Sequence, residues 1–194
     1  LGLAPKSTDT LAAVNGLGDV LNLRIDAGLT MDRLAFAGLV DAVGGVTVDV
    51  PKAVTLPSDP GQPMRVVGPG PVLMDGVTAA DYALVRIPGE TDADRVDRAS
   101  DVLVLALEGL PTEPERMRQV LTSLGSLAKS TVPTEDLVPL LVGARTDMRF
   151  GATQYAELPV EVIRVGIRPA SVLAPGALEL VADLFPESVV APAL

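Results

Sequence analysis

Apolar and polar positions along this chain switch repeatedly between the period of a helix and the period of a strand. Thr8 to about Val20 reads as a helix, capped by Ser7 or Thr8 and weakened by Gly16 and Gly18. Leu21, Leu23, Ile25, Ala27 and Leu29 alternate with polar residues, which predicts a strand over Leu23 to Leu29. Thr30 then caps a helix from Met31 to Val43, where Phe36, Leu39, Val40 and Val43 follow the i, i+3, i+4, i+7 spacing. Gly44-Gly45 ends that helix, and Val46-Thr-Val-Asp-Val50 is a β-branched strand stopped by Pro51. The order fits a βαβ unit whose strands are neighbours in a parallel sheet.

Pro51 to Pro71 is rich in Pro and Gly, with a turn at Ser58-Asp-Pro60-Gly61 and a strand only at Met64 to Val67, so it reads as a surface excursion within one domain. Asp75-Gly76 leads into a short helix over Val77 to Asp81, and Tyr82 to Ile87 reads as a further strand of the same sheet. Thr91 with Asp94 is a capping signal for a helix that buries Val96, Ala99, Val102, Leu103 and Ala106. Another helix begins near Thr112, with Pro114 in its first turn and Met117, Val120, Leu121, Leu124 and Leu127 inside. Thr134 caps a helix from about Glu135 to Gly143; a short helix near Tyr155, a strand from Val160 to Ile167 and a helix from about Gly176 to Phe185 follow. Interleaved helices and strands make the class α/β, with helices on both sides of a sheet.

Composition narrows the chemistry. Hydrophobic residues are 48% and charged residues 21%, a globular balance, and 194 residues make one domain the default. A net charge of −10 with no Trp and few other aromatics excludes general nucleic-acid binding. Cys and His are both absent, which removes thiol chemistry, Ser-His triads, the usual zinc sites and His acid–base catalysis. Catalysis would rest on carboxylates, arginines, backbone dipoles or a hard metal such as magnesium. No run of about 20 apolar residues spans a membrane and no signal-peptide pattern is present. The chain opens on Leu1 without an initiator Met, which fits a fragment from which a targeting or anchoring segment has been removed.

Against that acidic background Arg86, Arg95 and Arg98 gather around a loop and a helix start, in the run Tyr82-Ala-Leu-Val-Arg86-Ile-Pro-Gly-Glu-Thr-Asp92-Ala-Asp94-Arg95-Val-Asp-Arg98. Such a cluster suits a phosphate or pyrophosphate. The same residues also suit a solvated helix, with Arg95 and Arg98 neutralising Asp92, Asp94 and Asp97, and Arg86 paired to Glu90 or Asp92. Both readings stand at this point.

Two segments together resemble the LytR–CpsA–Psr family. Arg33-Leu-Ala-Phe36-Ala-Gly-Leu-Val40-Asp41-Ala-Val-Gly44-Gly45-Val-Thr-Val-Asp49-Val-Pro51 is similar to the family's helix, Gly-Gly turn and strand. Leu73-Met-Asp-Gly76-Val-Thr-Ala79-Ala-Asp-Tyr82 and the later Thr146-Asp147-Met148 are similar to further landmarks, in family order. The resemblance implies a single domain over residues 1–194, an αβα three-layer fold with a central mixed sheet flanked by helices, and a hydrophobic tunnel for a lipid. It also implies an extracytoplasmic, membrane-anchored protein of the bacterial cell envelope that transfers glycopolymers from polyprenyl-pyrophosphate carriers to the cell wall, with assistance from Mg2+. Its implied partners are a polyprenyl (pyro)phosphate lipid or glycopolymer and the membrane surface. Arg86, Arg95 and Arg98 become the implied catalytic and pyrophosphate-binding residues, with Asp92 beside them.

The match departs from the family pattern in specific places. Tyr-x-Arg-x-Arg appears as Tyr82-Ala-Leu84-Val-Arg86, so the first arginine is a leucine. Asp-x-Gly-Arg-x-x-Arg-Gln-Gln appears with Asp94 for the glycine and with Ala99 and Ser100 for the glutamines. The N-terminal part of the family domain, with further acidic and basic residues, is not evident, and no metal set is evident either. The alternative is a non-catalytic, degenerate member that binds a prenyl (pyro)phosphate lipid or an envelope partner.

Overall fold

The computed structural model describes residues 7–58, 61, 63–153, 156–165 and 168–190. In chain order the elements are α1 (Ser7–Leu21), β1 (Leu29–Met31), α2 (Arg33–Ala42), β2 (Val46–Val50), β3 (Val54–Leu56), β4 (Arg65–Val67), β5 (Gly70–Met74) and α3 (Gly76–Leu84). Then come α4 (Asp92–Glu108), α5 (Pro114–Ser123), β6 (Ala128–Ser130), α6 (Thr134–Arg149), β7 (Val160–Val165), β8 (Arg168–Leu173) and α7 (Ala177–Leu184). Helices and strands interleave, as an α/β chain requires.

The strands do not gather into one central mixed sheet among the described residues. They form two-stranded antiparallel ladders, β1 with β6, β2 with β5, β3 with β4 and β7 with β8. The expected βαβ unit is therefore absent: β2 takes its partner from β5, across the Pro/Gly-rich excursion, which itself holds the β3–β4 hairpin. Of the expected strand Leu23 to Leu29, Leu23 makes an isolated bridge to Val189 and Leu29 opens β1, paired with Ser130 of β6, while the residues between them join no ladder. Tyr82 to Ile87 is not a strand. Asp75 accepts from the Thr78 N–H and starts α3, whose helical period buries Ala79, Ala80, Tyr82 and Ala83. An apolar run this short reads equally as strand or buried helix.

Two helix starts also differ from expectation. Asp32, not Thr30, caps α2 by accepting from the Ala35 N–H, while the Thr30 hydroxyl pairs with that of Thr10. Thr134 is the first residue of α6 and makes no cap, and α6 runs on past Gly143 to Arg149. The expected helix near Tyr155, the turn residues Asp59 and Pro60, and the end of the strand at Ile167 lie outside the described residues.

The core lies between α2, α3, α4, α5 and the β2–β5 ladder. Val46, Val48 and Val50 face into it from β2 while Thr47 and Asp49 face out. Met74, Met117, Val40 and Val102 are fully buried, each contributing on the order of 1.5–3 kcal/mol. On α4, Val102 and Ala106 are buried as expected, whereas Val96 is exposed.

Gly44 and Gly45 both take left-handed φ values, 88° and 89°, which turns the chain from α2 into β2. The β2–β5 register pairs Val46 with Met74 and so returns the chain to the end of α2. There the Gly76 N–H donates to Asp41 Oδ1 at 2.6 Å. At the other end Arg33, the first residue of α2, binds Asp81 on α3. The two contacts fix α2 and α3 as antiparallel neighbours.

Asp81 is nearly inaccessible, with 5% of its side chain exposed, and both oxygens are occupied. Arg33 donates from Nε at 2.9 Å and from Nη2 to Oδ1, and Arg65 Nη1 donates to Oδ2 at 2.7 Å. Arg65 also donates to the Thr78 hydroxyl. Arg33 and Arg65 keep 44% and 37% of their side chains in solvent, so screening reduces the value of the cluster. Asp81→Asn is expected to cost about 1–2 kcal/mol, seen as a lower urea midpoint with an unchanged slope. An unchanged midpoint would show that the cluster adds nothing to stability.

Candidate functional site

The start of α4 carries the sequence-predicted residues. Thr91 caps it: its hydroxyl accepts from the Asp94 N–H at 3.1 Å, and the Asp94 carboxylate accepts from the Thr91 N–H at 2.9 Å. Asp94, which stands where a glycine would be expected, is thereby spent on closing a capping box. The Thr91 hydrogen bonds hold its carboxyl below the usual carboxylate range.

The three arginines do not share one concavity. Arg86 Nη2 and Arg95 Nη2 converge from two sides on Asp92 Oδ1, each at 3.2 Å. Arg86 and Asp92 are mostly exposed, whereas Arg95 is about one-third exposed and its buried Nε has no hydrogen-bond partner. Arg98 turns inward. Its Nε and Nη2 donate to the two oxygens of Glu90 at 2.9 and 2.7 Å, and Nη2 also donates to the Val85 carbonyl. The guanidinium lies 5.2 Å from the centroid of the Tyr82 ring. Arg98 and Glu90 expose only 9% and 8% of their side chains.

Arg98 is thus a clamp between the end of α3, the Val85–Glu90 loop and the start of α4. Burial pushes the Tyr82 hydroxyl up from its ordinary value. The Arg98 guanidinium holds the Glu90 carboxyl below the usual range, against the opposing effect of burial. A folded value below the unfolded one adds stability above the unfolded value and loses it as pH falls through the folded one. The stability difference between the wild type and Glu90→Gln is therefore expected to be full at neutral pH and to close below the ordinary value of 4.5. Thermal melts across that range check it; a constant difference would remove Glu90 ionisation from the clamp.

Charge decides which side of the cluster suits an anion. A cavity of about 380 Å3 opens beside Arg98, but Asp49, Glu90, Asp94, Asp97 and Asp101 outnumber Lys52 and Arg98 on its wall. An anion is repelled there. The Arg86–Asp92–Arg95 side has two cations against one carboxylate that water already screens. Pairing of this exposed kind is worth at most about 1 kcal/mol, so a multiply charged anion can replace Asp92 as the partner of both guanidinium groups. Along the outer face of α4 lies a concavity of about 970 Å3, with Val48, Val96, Val104, Leu105 and Leu158 in its wall and Asp49, Asp97, Asp101, Glu108 and Glu157 around them.

Magnesium prefers a near-octahedral set of oxygens. Among the described residues no three acidic side chains gather in a way that could hold a metal, and Asp92 is engaged by two arginines. The described residues do not fit the ion by themselves.

Of the two partners weighed for Arg86, Asp92 is the one it binds, and the Arg98–Glu90 pair was missed in the sequence. Also missed were Arg33, Arg65 and Asp81, whose ion pairs join positions 48 and 16 residues apart and leave no local pattern.

Residues 10–146 match the model of the LytR_cpsA_psr family. Among solved structures, a transcriptional regulator from Enterococcus faecalis superposes with a TM-score of 0.74 at 20% identity, covering 92% of this chain and 65% of that one. TagV of B. subtilis superposes at 0.71 with 18% identity, covering 90% of this chain and 68% of that one. TagT bound to LI-WTA superposes at 0.62 with 18% identity over 96% of this chain and 72% of that one. The chain thus spans just under two thirds of the Enterococcus faecalis protein. No curated protein matches it in sequence. These neighbours share the fold.

Proposed function

Because this chain belongs to the LytR–CpsA–Psr family, we propose that it is a cell-envelope domain that binds the pyrophosphate of a polyprenyl-linked glycopolymer and transfers that polymer to the wall only weakly. The observation that carries the reading is the convergence of Arg86 and Arg95 on one exposed carboxylate at a helix start. A pyrophosphate oxygen arriving at the position of Asp92 Oδ1 meets both guanidinium groups. Arg98 acts as a positioning residue, its charge already met by Glu90. The apolar stripe of the concavity along α4 supplies a surface for prenyl chain. The structure of TagT with LI-WTA supports a glycopolymer as the class of substrate. The same reading places the domain outside the cytoplasm, at the membrane surface. No helix among the described residues is long and apolar enough to cross a membrane.

Weak transfer follows from missing donors. Leu84 stands, half-exposed, where the family pattern has an arginine, and Ala99 and Ser100 stand for two glutamines. Each lost donor to a developing anionic charge costs about 10²–10³ in rate. The test is a transfer assay with a polyprenyl-pyrophosphate-linked saccharide and magnesium, alongside pyrophosphate binding, for the unaltered chain, Arg86→Gln and Arg95→Gln. Slow turnover is expected, with pyrophosphate affinity about tenfold lower in each variant, the loss of one charge-assisted contact. Robust turnover of the unaltered chain would overturn the weak-transfer reading. Unchanged affinity in both variants would overturn the binding site.

A further inference from the structure

Arginine pairing across the molecule singles out a second place. Arg24, Arg33, Arg65, Arg86, Arg95, Arg98 and Arg118 each make an ion pair. Among the described residues, Arg116, Arg145, Arg149 and Arg164 appear in no such pair, and the first three line one concavity of about 650 Å3. In a chain of net charge −10, three cations left without acidic partners in one hollow is an uneven distribution.

The hollow lies between α5 and α6, with the C-terminal ends of α2 and α4 beside them. Arg145 and Arg149 lie four residues apart on α6 and so share a face. Arg116 projects from the first turn of α5, which packs on α6, and the end of α4 closes the hollow. Arg145 Nε donates to the Leu110 carbonyl at 3.2 Å, which anchors that side chain and leaves its Nη groups for another partner. Thr112 and Gln119 add neutral donors, and Glu113 is the one acid in the wall, leaving a formal charge of +2. Glu113 makes no side-chain cap on α5, so its carboxylate does not occupy the first N–H groups of that helix. α4 spans 17 residues, which puts the hollow about 25 Å from the arginines at its start. The Thr146-Asp147-Met148 landmark sits between Arg145 and Arg149.

We propose that Arg116, Arg145 and Arg149 form a second oxyanion site that takes a phosphate group, separate from the Arg86–Arg95 site. Planar guanidinium forks on two helices, with hydroxyl and amide donors between them, suit an anion with several acceptor oxygens. The free anion and a phosphodiester of a polymer offer the same chemistry. The site stands on its own geometry and does not depend on the transferase reading.

The experiment is an amide-resolved NMR titration of the full chain with pyrophosphate in phosphate-free, low-salt buffer. Arg116→Gln/Arg149→Gln, Arg86→Gln/Arg95→Gln and Arg164→Gln are titrated alongside. Arg116 and Arg149 are exposed and make no ion pair among the described residues, so the paired variant keeps the fold. Shifts are expected at Leu110–Gln119 and Arg145–Arg149. They should weaken at least about tenfold in the first variant and persist in the other two. No shifts there in the unaltered chain, or shifts unchanged in Arg116→Gln/Arg149→Gln, would overturn the site. A glycerol phosphate oligomer acting at a lower phosphate-group concentration than pyrophosphate assigns the site to a polymer. Equal potency assigns it to the free anion, and either result supports the site.

Discussion

Gly76→Ala is expected to destabilise the protein by about 3 kcal/mol or more, because the added methyl has nowhere to go. A Cβ at Gly76 would lie 2.0 Å from the Ala37 carbonyl oxygen and 2.8 Å from Cγ of Asp41. The first of these is helix backbone and cannot swing aside. Relief requires α2 and α3 to move apart, which also lengthens the 2.6 Å hydrogen bond from the Gly76 N–H to Asp41. Val40, Ala79 and Ala80 at this seam are fully buried, so separation admits voids. For a chain of this size the expected fall in Tm is about 6–12 °C. Gly143, with no atom within 4 Å of its would-be Cβ, is the control, and Gly143→Ala should match or exceed the wild type. Equal melting of Gly76→Ala and wild type would refute the close-packed seam.

Arg98→Ala is the second large effect. The substitution leaves Glu90 buried without its cation, frees the Val85 carbonyl and uncovers the Tyr82 ring. Breaking a buried pair by removing one member costs about 3–5 kcal/mol, and the position of this pair near the surface favours the lower figure. The cost comes chiefly from the stranded carboxylate, so Glu90→Gln added to Arg98→Ala should restore part of it. Restoration separates a structural clamp from a ligand contact. A variant with unchanged melting but lost pyrophosphate binding would return Arg98 to the binding site. Activity loss in Arg98→Ala alone is uninformative about chemistry, which is why the transfer test rests on Arg86 and Arg95.

Local signals in the chain were legible and long-range ones were not. The Thr91–Asp94 capping box, the Gly44-Gly45 turn and the inward valines of β2 are each written within a few residues, and each forms as read. Strand partners are not local. Nothing near Val46–Val50 says that it pairs with Gly70–Met74, beyond the Pro/Gly-rich excursion, and not with Leu23–Leu29. Tyr82 to Ile87 reads as a strand because a six-residue run that is apolar but for Arg86 fits either period, and the Asp75 cap settles Tyr82 to Leu84 as helix. The family landmarks survived these errors because they mark contacts: Asp41 and Gly76, quoted from separate segments, touch each other. At the site, the arginines were visible by type, but the direction of each side chain depended on the Glu90 loop, which turns at Gly89 with φ 82°. The Arg116, Arg145 and Arg149 group comes from two helices and left no pattern in the sequence.

The seam between α2 and α3 also sets a rule for building hybrids of this domain. Arg33 and Asp41 at the two ends of α2 are matched to Asp81 and Gly76 on α3. A donor sequence that supplies α2 alone would bring a helix whose spacing from the recipient α3 is wrong at one end or the other. The smallest exchangeable block therefore runs from Asp32 through Leu84, and it carries Arg65 with it, since that side chain shares Asp81 with Arg33. Crossover points at Asp32 and between Leu84 and Val85 leave Arg86, α4 and its arginines in the recipient, so the proposed anion site and the seam can be inherited from different parents.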